Sequence, residues 1–276
     1  MSGPSVIDLV DVRLDSPRGG PPIVSGANLA VAKGEVVLIV GAAGVGTSRV
    51  VAAALGEASL AGGRLELLGR DVGKLRRSSL RMLRRRVGIV PQDLCLLEDR
   101  SAQLNVVLPL EIDGIPRSVS VVRAAQVLAQ LGLESEASLP VDCLGASARQ
   151  RVAVARALVR EPEVLIADHP TSMQDAHGAE LVCTAIAIAA ARGAACIVFG
   201  RDPALRELAE RHHWRTLGLV NGELSPLAEI ELDGRTIEEV LVQIESAPTT
   251  IAPVVEAIPE NVLAFPISAR VAGGAQ

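Results

Sequence analysis

The residues with the clearest chemistry form a glycine-rich run at positions 41–48. In order they are Gly41, Ala42, Ala43, Gly44, Val45, Gly46, Thr47 and Ser48. This spacing matches the phosphate-binding pattern G-x-x-x-x-G-K-[ST], in which backbone N–H groups and a lysine bind phosphates and the last hydroxyl binds Mg²⁺. Thr47 stands where the pattern has its lysine. The run therefore predicts a phosphate-binding loop without its usual cation.

The segments on either side of the run are those that such a loop needs. Residues 36–40 are apolar and mostly β-branched, which predicts a buried parallel strand, and residues 48–55 predict a helix. A strand, a glycine loop and a helix N-terminus together form a cradle for anions. The local sequence therefore positions the loop even though its lysine is absent.

Composition limits the classes of function. The chain has 276 residues, 49% of them apolar, so we expect a large α/β domain with or without an appendage. A net charge of −5 and only 1% aromatic residues argue against nucleic-acid binding, because base-stacking side chains are scarce. The four cysteines lack C-x-x-C spacing and predict small core residues rather than a metal site. Without an N-terminal leader pattern or a sufficiently long apolar helix, the expected location is cytoplasmic.

Hydrophobic periodicity and turn residues predict the order of the elements. Strands are predicted within residues 5–40, with a turn at 17–22, and at 64–68, 87–90, 164–168 and 195–199. Helices are predicted at 103–133, 149–160 and 236–246. Residues 74–86 are strongly basic, and this run indicates either a solvated helix face or an anion-binding patch. The early strands predict an antiparallel flank beside the phosphate loop.

Further motifs, in order along the chain, give a resemblance to a known family. They are the run at 41–48, Pro91-Gln92-Asp93, residues 144–158 and residues 165–171. With these motifs the chain resembles ATP-binding-cassette (ABC) ATPases over residues 6–225. It is most similar to the FtsE and LolD group through residues 96–100 and 105–110.

The resemblance implies a fold and a division into domains. Residues 1–225 are expected to form an α/β P-loop ABC nucleotide-binding domain, with a parallel core sheet, an antiparallel flank and a helical subdomain at about 93–160. Residues 226–276 are expected to form a C-terminal extension of unknown role.

The resemblance also implies a composite site for ATP and Mg²⁺. In the family, two domains enclose two ATP molecules, and each site joins the phosphate loop of one subunit to the signature motif of the other. Ser48, Gln92 and Asp168 occupy the positions that hold Mg²⁺, and all three keep oxygen ligands. Asp175 matches the carboxylate of the D-loop, and a helix N-cap is the alternative role for it.

Several positions depart from the family's pattern. Thr47 removes a cation, His169 replaces the glutamate that polarises the attacking water, and Arg201 replaces the switch histidine. The signature residues, which lack the expected serine and both glycines, are Leu144, Gly145, Ala146, Ser147 and Ala148. The departures therefore affect both halves of the composite site.

The expected cost of these departures is large. A lost electrostatic stabiliser costs about 10²–10³ in rate, and a lost general base costs about 10²–10⁴. The missing lysine removes about 1.5–3 kcal/mol of charge-assisted binding, or about ten- to a hundredfold in affinity. His169 as a substitute base is the alternative to simple loss at that position.

Three functional hypotheses follow. The leading one is a pseudo-ATPase subunit with weak or absent ATP and Mg²⁺ binding, a scaffold or regulator for an FtsX- or LolC-like membrane protein. It would be peripheral on the inner face of the cell membrane, as a homodimer or as a heterodimer with another ABC subunit. The second is an active ABC ATPase that powers a transporter or a cell-division complex. The third is a protein-interaction module that binds no nucleotide and acts through the tail after Pro226.

Overall fold

The computed structural model describes residues 5–16, 22–41, 47–220 and 222–226. The predicted turn at 17–22 lies almost entirely outside these residues, as do positions 42–46 of the phosphate loop. The C-terminal extension from residue 227 onward, including the helix predicted at 236–246, also lies outside them.

The described residues form ten strands and seven α-helices. The strands are β1 (Ser5–Leu14), β2 (Val24–Ala32), β3 (Val36–Gly41), β4 (Gly62–Leu67), β5 (Arg70–Asp71), β6 (Val87–Val90), β7 (Val164–Asp168), β8 (Ala195–Phe199), β9 (Arg215–Val220) and β10 (Glu223–Pro226). The helices are α1 (Thr47–Ala54), α2 (Arg77–Arg84), α3 (Ala102–Ile112), α4 (Arg117–Gln130), α5 (Ala146–Leu158), α6 (Ala176–Ala191) and α7 (Pro203–Arg211).

A six-stranded sheet in the order β10-β9-β3-β8-β7-β6 forms the centre of the domain, and all its pairings except β10 with β9 are parallel. Every residue of β3, β7 and β8 is buried, because helices and the second sheet cover both faces. Parallel strands bring their carboxyl ends to one edge. Gly41, Asp168 and Phe199 therefore end their strands at the same edge of this sheet.

The second sheet is antiparallel, in the order β2-β1-β4-β5, as the early strands predicted. Its buried side chains pack in one cluster with those of α1 and one face of the central sheet. Gly63 in β4 has a φ of +73°, and a Cβ there would lie 2.1 Å from the carbonyl oxygen of Asp11. Only glycine permits the two strands to approach so closely at this point.

The helical part differs from its prediction in two ways. The stretch predicted at 103–133 is two helices, α3 and α4, because Gly114 with a φ of +79° and Pro116 form a turn between them. Helix α5 begins at Ala146, three residues before the predicted start. The first turn of α5 therefore contains most of the signature motif.

Among the residues that the structure describes, none of the helices has both the length and the apolar character to span a membrane.

Candidate nucleotide-binding site

The structure supports the predicted strand before the glycine run and the predicted helix after it. Strand β3 ends at Gly41, and α1 begins at Thr47, whose side chain is buried at 9% exposure. Residues 42–46 between them lie outside the described part of the chain. The two hydroxyl residues of the motif, Thr47 and Ser48, thus lie in the first turn of α1.

Both hydroxyls bind the carboxylate at the end of β7. Thr47 Oγ1 donates to Asp168 Oδ1 over 2.9 Å, and Ser48 Oγ donates to Asp168 Oδ2 over 2.8 Å. Asp168 is 2% exposed. At a position where the motif has a lysine, this chain therefore places a hydroxyl that caps the buried carboxylate.

His169 adds a third contact to the same carboxylate. Its Nδ1 lies 2.9 Å from Asp168 Oδ1. The backbone of His169 has a φ of +53°, an uncommon value outside glycine, and its N–H donates to the carbonyl of Phe199 over 2.8 Å. This backbone turn directs the imidazole back onto the aspartate that precedes it.

These contacts determine the protonation state of Asp168. Burial alone raises the pKa of the carboxyl, but hydrogen bonds from His169, Ser48 and Thr47 oppose it, and the resulting pKa lies below the usual range. Asp168 is therefore ionised at neutral pH.

Gln92 lies beside Ser48, so the structure brings the three predicted Mg²⁺ ligands together. Ser48 Oγ lies 3.3 Å from Gln92 Oε1 and 2.8 Å from Asp168 Oδ2, the acceptor of its proton. Neighbouring oxygens around an octahedral Mg²⁺ are about 2.9 Å apart, given ligand distances of 2.0–2.1 Å. The Ser48–Asp168 spacing matches this value and the Ser48–Gln92 spacing exceeds it. A Mg²⁺ ion held by these three residues, which would neutralise phosphate charge there, stays a prediction.

Two arginines lie beside the motifs of the site, and the structure anchors Arg49 and the segment of Arg201. Arg49 Nε donates to the carbonyl of Asp15 over 3.1 Å, so it binds the segment after β1. Arg201 follows β8 and is half-buried. Its neighbour Asp202 accepts a hydrogen bond from Thr171 Oγ1 over 2.8 Å and caps α7. The segment that contains Arg201 is thus anchored next to the chain after Asp168.

The signature residues divide between buried and exposed positions. Leu144 and Ala148 are buried, whereas Gly145 and Ala146 are exposed. The Ser147 hydroxyl donates to Gln174 Oε1 over 2.8 Å, and Gln174 Nε2 donates back to the Ser147 carbonyl over 3.0 Å. The signature turn is therefore tied to residues that follow Asp168.

Gln150 is the centre of this connection. Its side chain is 3% exposed and donates to the carbonyl of His169 over 2.8 Å and to Ser172 Oγ over 3.0 Å. Its Oε1 accepts from the Met173 N–H and from Gln174 Nε2, each over 3.0 Å. The backbone conformation of His169 thus depends on a glutamine of α5.

We expect Gln150→Leu to lower the free energy of unfolding by about 2–3 kcal/mol, because it leaves buried backbone and side-chain groups without hydrogen bonds. Gln103→Leu, at a half-exposed position of α3, is the control and should change it by about 0.5 kcal/mol or less. Urea unfolding measures both variants. Equal shifts in the two would show that the Gln150 hydrogen bonds contribute nothing specific.

Asp175 caps a helix in this structure. Its side chain accepts a hydrogen bond from the Gly178 N–H over 2.8 Å at the start of α6. This is the N-cap role that the sequence left open for it. Its role as a D-loop carboxylate toward a second subunit stays a prediction.

Sequence reasoning missed three polar residues of the site. Thr47 was interpreted only as a lost cation, and Gln150 and Gln174 were not singled out. The available signal was that Gln150 shares a face of α5 with the apolar residues Val154 and Ala157, four and seven positions later. A polar side chain at a core position needs hydrogen-bond partners, which indicates a buried network.

Comparisons with known proteins identify the class. Residues 24–172 match the family model described as ABC transporter. The chain is 35% identical over 208 residues to the lipoprotein-releasing system ATP-binding protein LolD of Neorickettsia sennetsu, covering 73% of this chain and 88% of that protein. The chain therefore belongs to the ABC transporter family, and the predicted P-loop ABC fold is confirmed.

Other similar proteins agree with this assignment. Methionine import ATP-binding protein MetN of Brucella abortus is 36% identical over 170 residues, which are 62% of this chain and 46% of MetN. The chain thus spans about half the length of the MetN relatives that it matches. The dimeric cassette MJ0796 superposes with a TM-score of 0.72 at 26% identity, covering 83% of this chain and 99% of that structure.

Proposed function

We propose that the protein is the ATP-binding-type subunit of a membrane complex and acts as a scaffold or regulator, with weak or absent ATP hydrolysis. The LolD and MetN relatives support the general role, since they are named as the ATP-binding proteins of a lipoprotein-releasing system and of methionine import. In this proposal the chain is cytoplasmic, docks on an FtsX- or LolC-like membrane protein and pairs with a second ABC subunit.

The observation that carries the proposal is the satisfied state of Asp168. Thr47, Ser48 and His169 together engage both of its carboxylate oxygens. A buried carboxylate with these partners needs neither a lysine nor a nucleotide to remain stable. The site therefore keeps its shape while two of the groups that accelerate hydrolysis are replaced.

An exposed apolar ridge on α3 supports docking on a membrane subunit. Leu108 is 37% exposed and Ile112 60% exposed, and Leu104 is half-buried one turn earlier. These residues are spaced by four, so they share one helix face. Exposed apolar side chains grouped in this way suit the apolar face of a partner helix. Leu104, at the start of the ridge, follows Gln92 by 12 residues along the chain.

A second function, hydrolysis with His169 as the base, is favoured by one contact. Asp168 Oδ1 lies 2.9 Å from Nδ1 of His169, and a carboxylate on Nδ1 is how a histidine base is oriented in other hydrolytic sites. Under this alternative His169 would polarise water in place of the missing glutamate. The two functions make opposite predictions for one substitution.

The full-length protein is expected to hydrolyse Mg²⁺-ATP no faster than a background control, with the same result for His169→Ala. A continuous phosphate-release assay at millimolar ATP, with and without membranes that contain the partner, measures both. Asp168→Asn serves as the negative control, because it removes the predicted Mg²⁺ ligand. Turnover that His169→Ala or Asp168→Asn abolishes would contradict the proposal and favour the active ATPase.

A further inference from the structure

A cleft of about 1060 Å³ opens at the edge of the central sheet opposite to Asp168. Lys33, in the turn between β2 and β3, and Gly193, before β8, lie at this edge, where a Cβ on Gly193 would come within 2.5 Å of Lys33 Cε. Arg123 and Val127 contribute from α4. The cleft therefore lies between α4 and this edge of the sheet, at the end of the strands opposite the nucleotide site.

The walls of the cleft combine apolar side chains with charged and amide side chains, and they are partly open to water. Val127 of α4 and Ile188 and Ala189 of α6 line it, and all three are half-buried. Leu68, after β4, is half-buried on the side of the antiparallel sheet. Apolar side chains in a concave surface of this size favour an occupant with an apolar face.

The rim of the cleft carries more cations than carboxylates. Lys33, Arg123 and Arg192 line it together with Glu161 and Glu163. Arg192 pairs with Glu161 over 3.2 Å. The second carboxylate, Glu163, is already paired with an arginine outside the cleft lining, at position 86. The rim therefore favours an occupant with negative charge.

The described chain ends toward the same edge of the central sheet as this cleft. β10 pairs antiparallel with β9, and Pro226 lies opposite Leu217. β9 runs parallel to β3, so β10 leads back toward the strand edge at which Lys33 lies. Nine residues lie between Pro226 and Thr236, and the ten extended steps that join them span up to about 35 Å. Residues after 235 can therefore reach the cleft.

The sequence of that segment matches the cleft in shape and charge. Residues 236–246, a predicted helix, place Ile237, Val240, Leu241 and Ile244 at the i, i+3, i+4, i+7 spacing of one helix face. Eight acidic residues and only two arginines follow Pro226. A helix about 10 Å across would fill 1060 Å³ with about nine residues, which is close to the length of this segment.

We propose that residues 236–246 of the same chain occupy this cleft as an acidic amphipathic segment. The apolar face packs against Val127 and Ile188, and the acidic residues face Lys33 and Arg123. The docked segment joins α4 of the helical subdomain to α6 and to the antiparallel sheet. It therefore holds these parts in one arrangement, whether or not nucleotide is bound.

Hydrogen exchange on the full chain tests this placement. Amides of residues 237–245 should exchange at least tenfold more slowly in the wild type than in Lys33→Glu/Arg123→Glu, because the charge reversal repels the acidic segment. Arg76→Glu/Arg77→Glu, at exposed positions away from the cleft, is the matched control and should keep the wild-type protection. Raising NaCl from 0.1 M to 1 M should also reduce the protection, since it shortens the Debye length from about 10 Å to about 3 Å.

A charge swap separates docking from a general loss of structure. Adding Glu238→Lys/Glu239→Lys to Lys33→Glu/Arg123→Glu should restore most of the protection. Wild-type amides that exchange at the unprotected rate, or protection unaffected by the cleft reversal, would overturn the proposal. Carbodiimide cross-links from Glu238 or Glu239 to Lys33 that form only between isotopically distinct copies would also overturn it, in favour of a second chain as the occupant.

Discussion

Thr47→Lys will strengthen the binding of Mg²⁺-ATP by about ten- to a hundredfold, measured by calorimetry on the full-length protein. A lysine at this position adds a charge-assisted contact with the β/γ-phosphates, worth about 1.5–3 kcal/mol. In the wild type, Thr47 Oγ1 is occupied by its hydrogen bond to Asp168. The substitution therefore exchanges a contact within the protein for one with the ligand.

The matched control for this experiment is Thr47→Gln, which has a long polar side chain without charge and should gain no affinity. If Lys and Gln strengthen binding equally, the gain comes from side-chain length rather than charge, and the predicted role of the cation is wrong. If neither variant nor the wild type releases heat at millimolar ATP, the retained motif does not bind nucleotide, which favours the interaction-module hypothesis.

The buried strands were predictable from sequence because each one is a short, continuous apolar run, which is stable only when both of its faces are covered. β3, β7 and β8 are continuous apolar runs bounded by turns or polar residues, and such runs are stable only between two covering layers. The meeting of Ser48, Gln92 and Asp168 was predictable through the family resemblance. It depends on the carboxyl ends of parallel strands lying at one edge.

The polar network around Asp168 was less predictable. The contact between Thr47 and Asp168 joins residues 121 positions apart, and the family pattern assigns position 47 to a cation rather than to a donor for the carboxylate. The hydrogen bonds of Gln150 depend on the left-handed backbone at His169. Neither hydrophobic periodicity nor residue spacing contains information on such a local backbone conformation.

The first turn of α5 contains Ala146 and Ser147 of the signature motif. Ala146 and Ser147 each carry a Cβ where the family's signature has glycine, and a Cβ at these positions would crowd the approach to a partner's nucleotide. In the structure the Ser147 side chain is directed to Gln174 and is half-buried, so its hydroxyl is used within the chain. The extent of crowding is therefore best measured with variants in which the family's serine and glycines are restored at positions 145–147.

Two repaired chains that are each inactive should hydrolyse ATP when they are mixed. The first chain carries Thr47→Lys/His169→Glu/Arg201→His and repairs the loop half of the site. The second carries Gly145→Ser/Ala146→Gly/Ser147→Gly and repairs the signature half. In a mixed dimer one of the two sites joins both repaired halves, whereas each chain alone can form only half-repaired sites.

We expect the mixture to exceed either chain alone by about 10²-fold or more, since a single electrostatic stabiliser already accounts for about 10²–10³ in rate. The control replaces the second chain with one that carries only Ser147→Ala, which removes the hydroxyl contact with Gln174 but keeps the Cβ. Activity of the first chain alone would show that the natural signature is competent and that the defect lies in the loop half. Inactivity of the mixture, and of one chain with all six substitutions, would show that the lost catalytic function involves further positions. The effects of such groups are not additive. The chain with all six substitutions and the mixture are therefore needed together, because only the pair distinguishes a composite site from two independent defects.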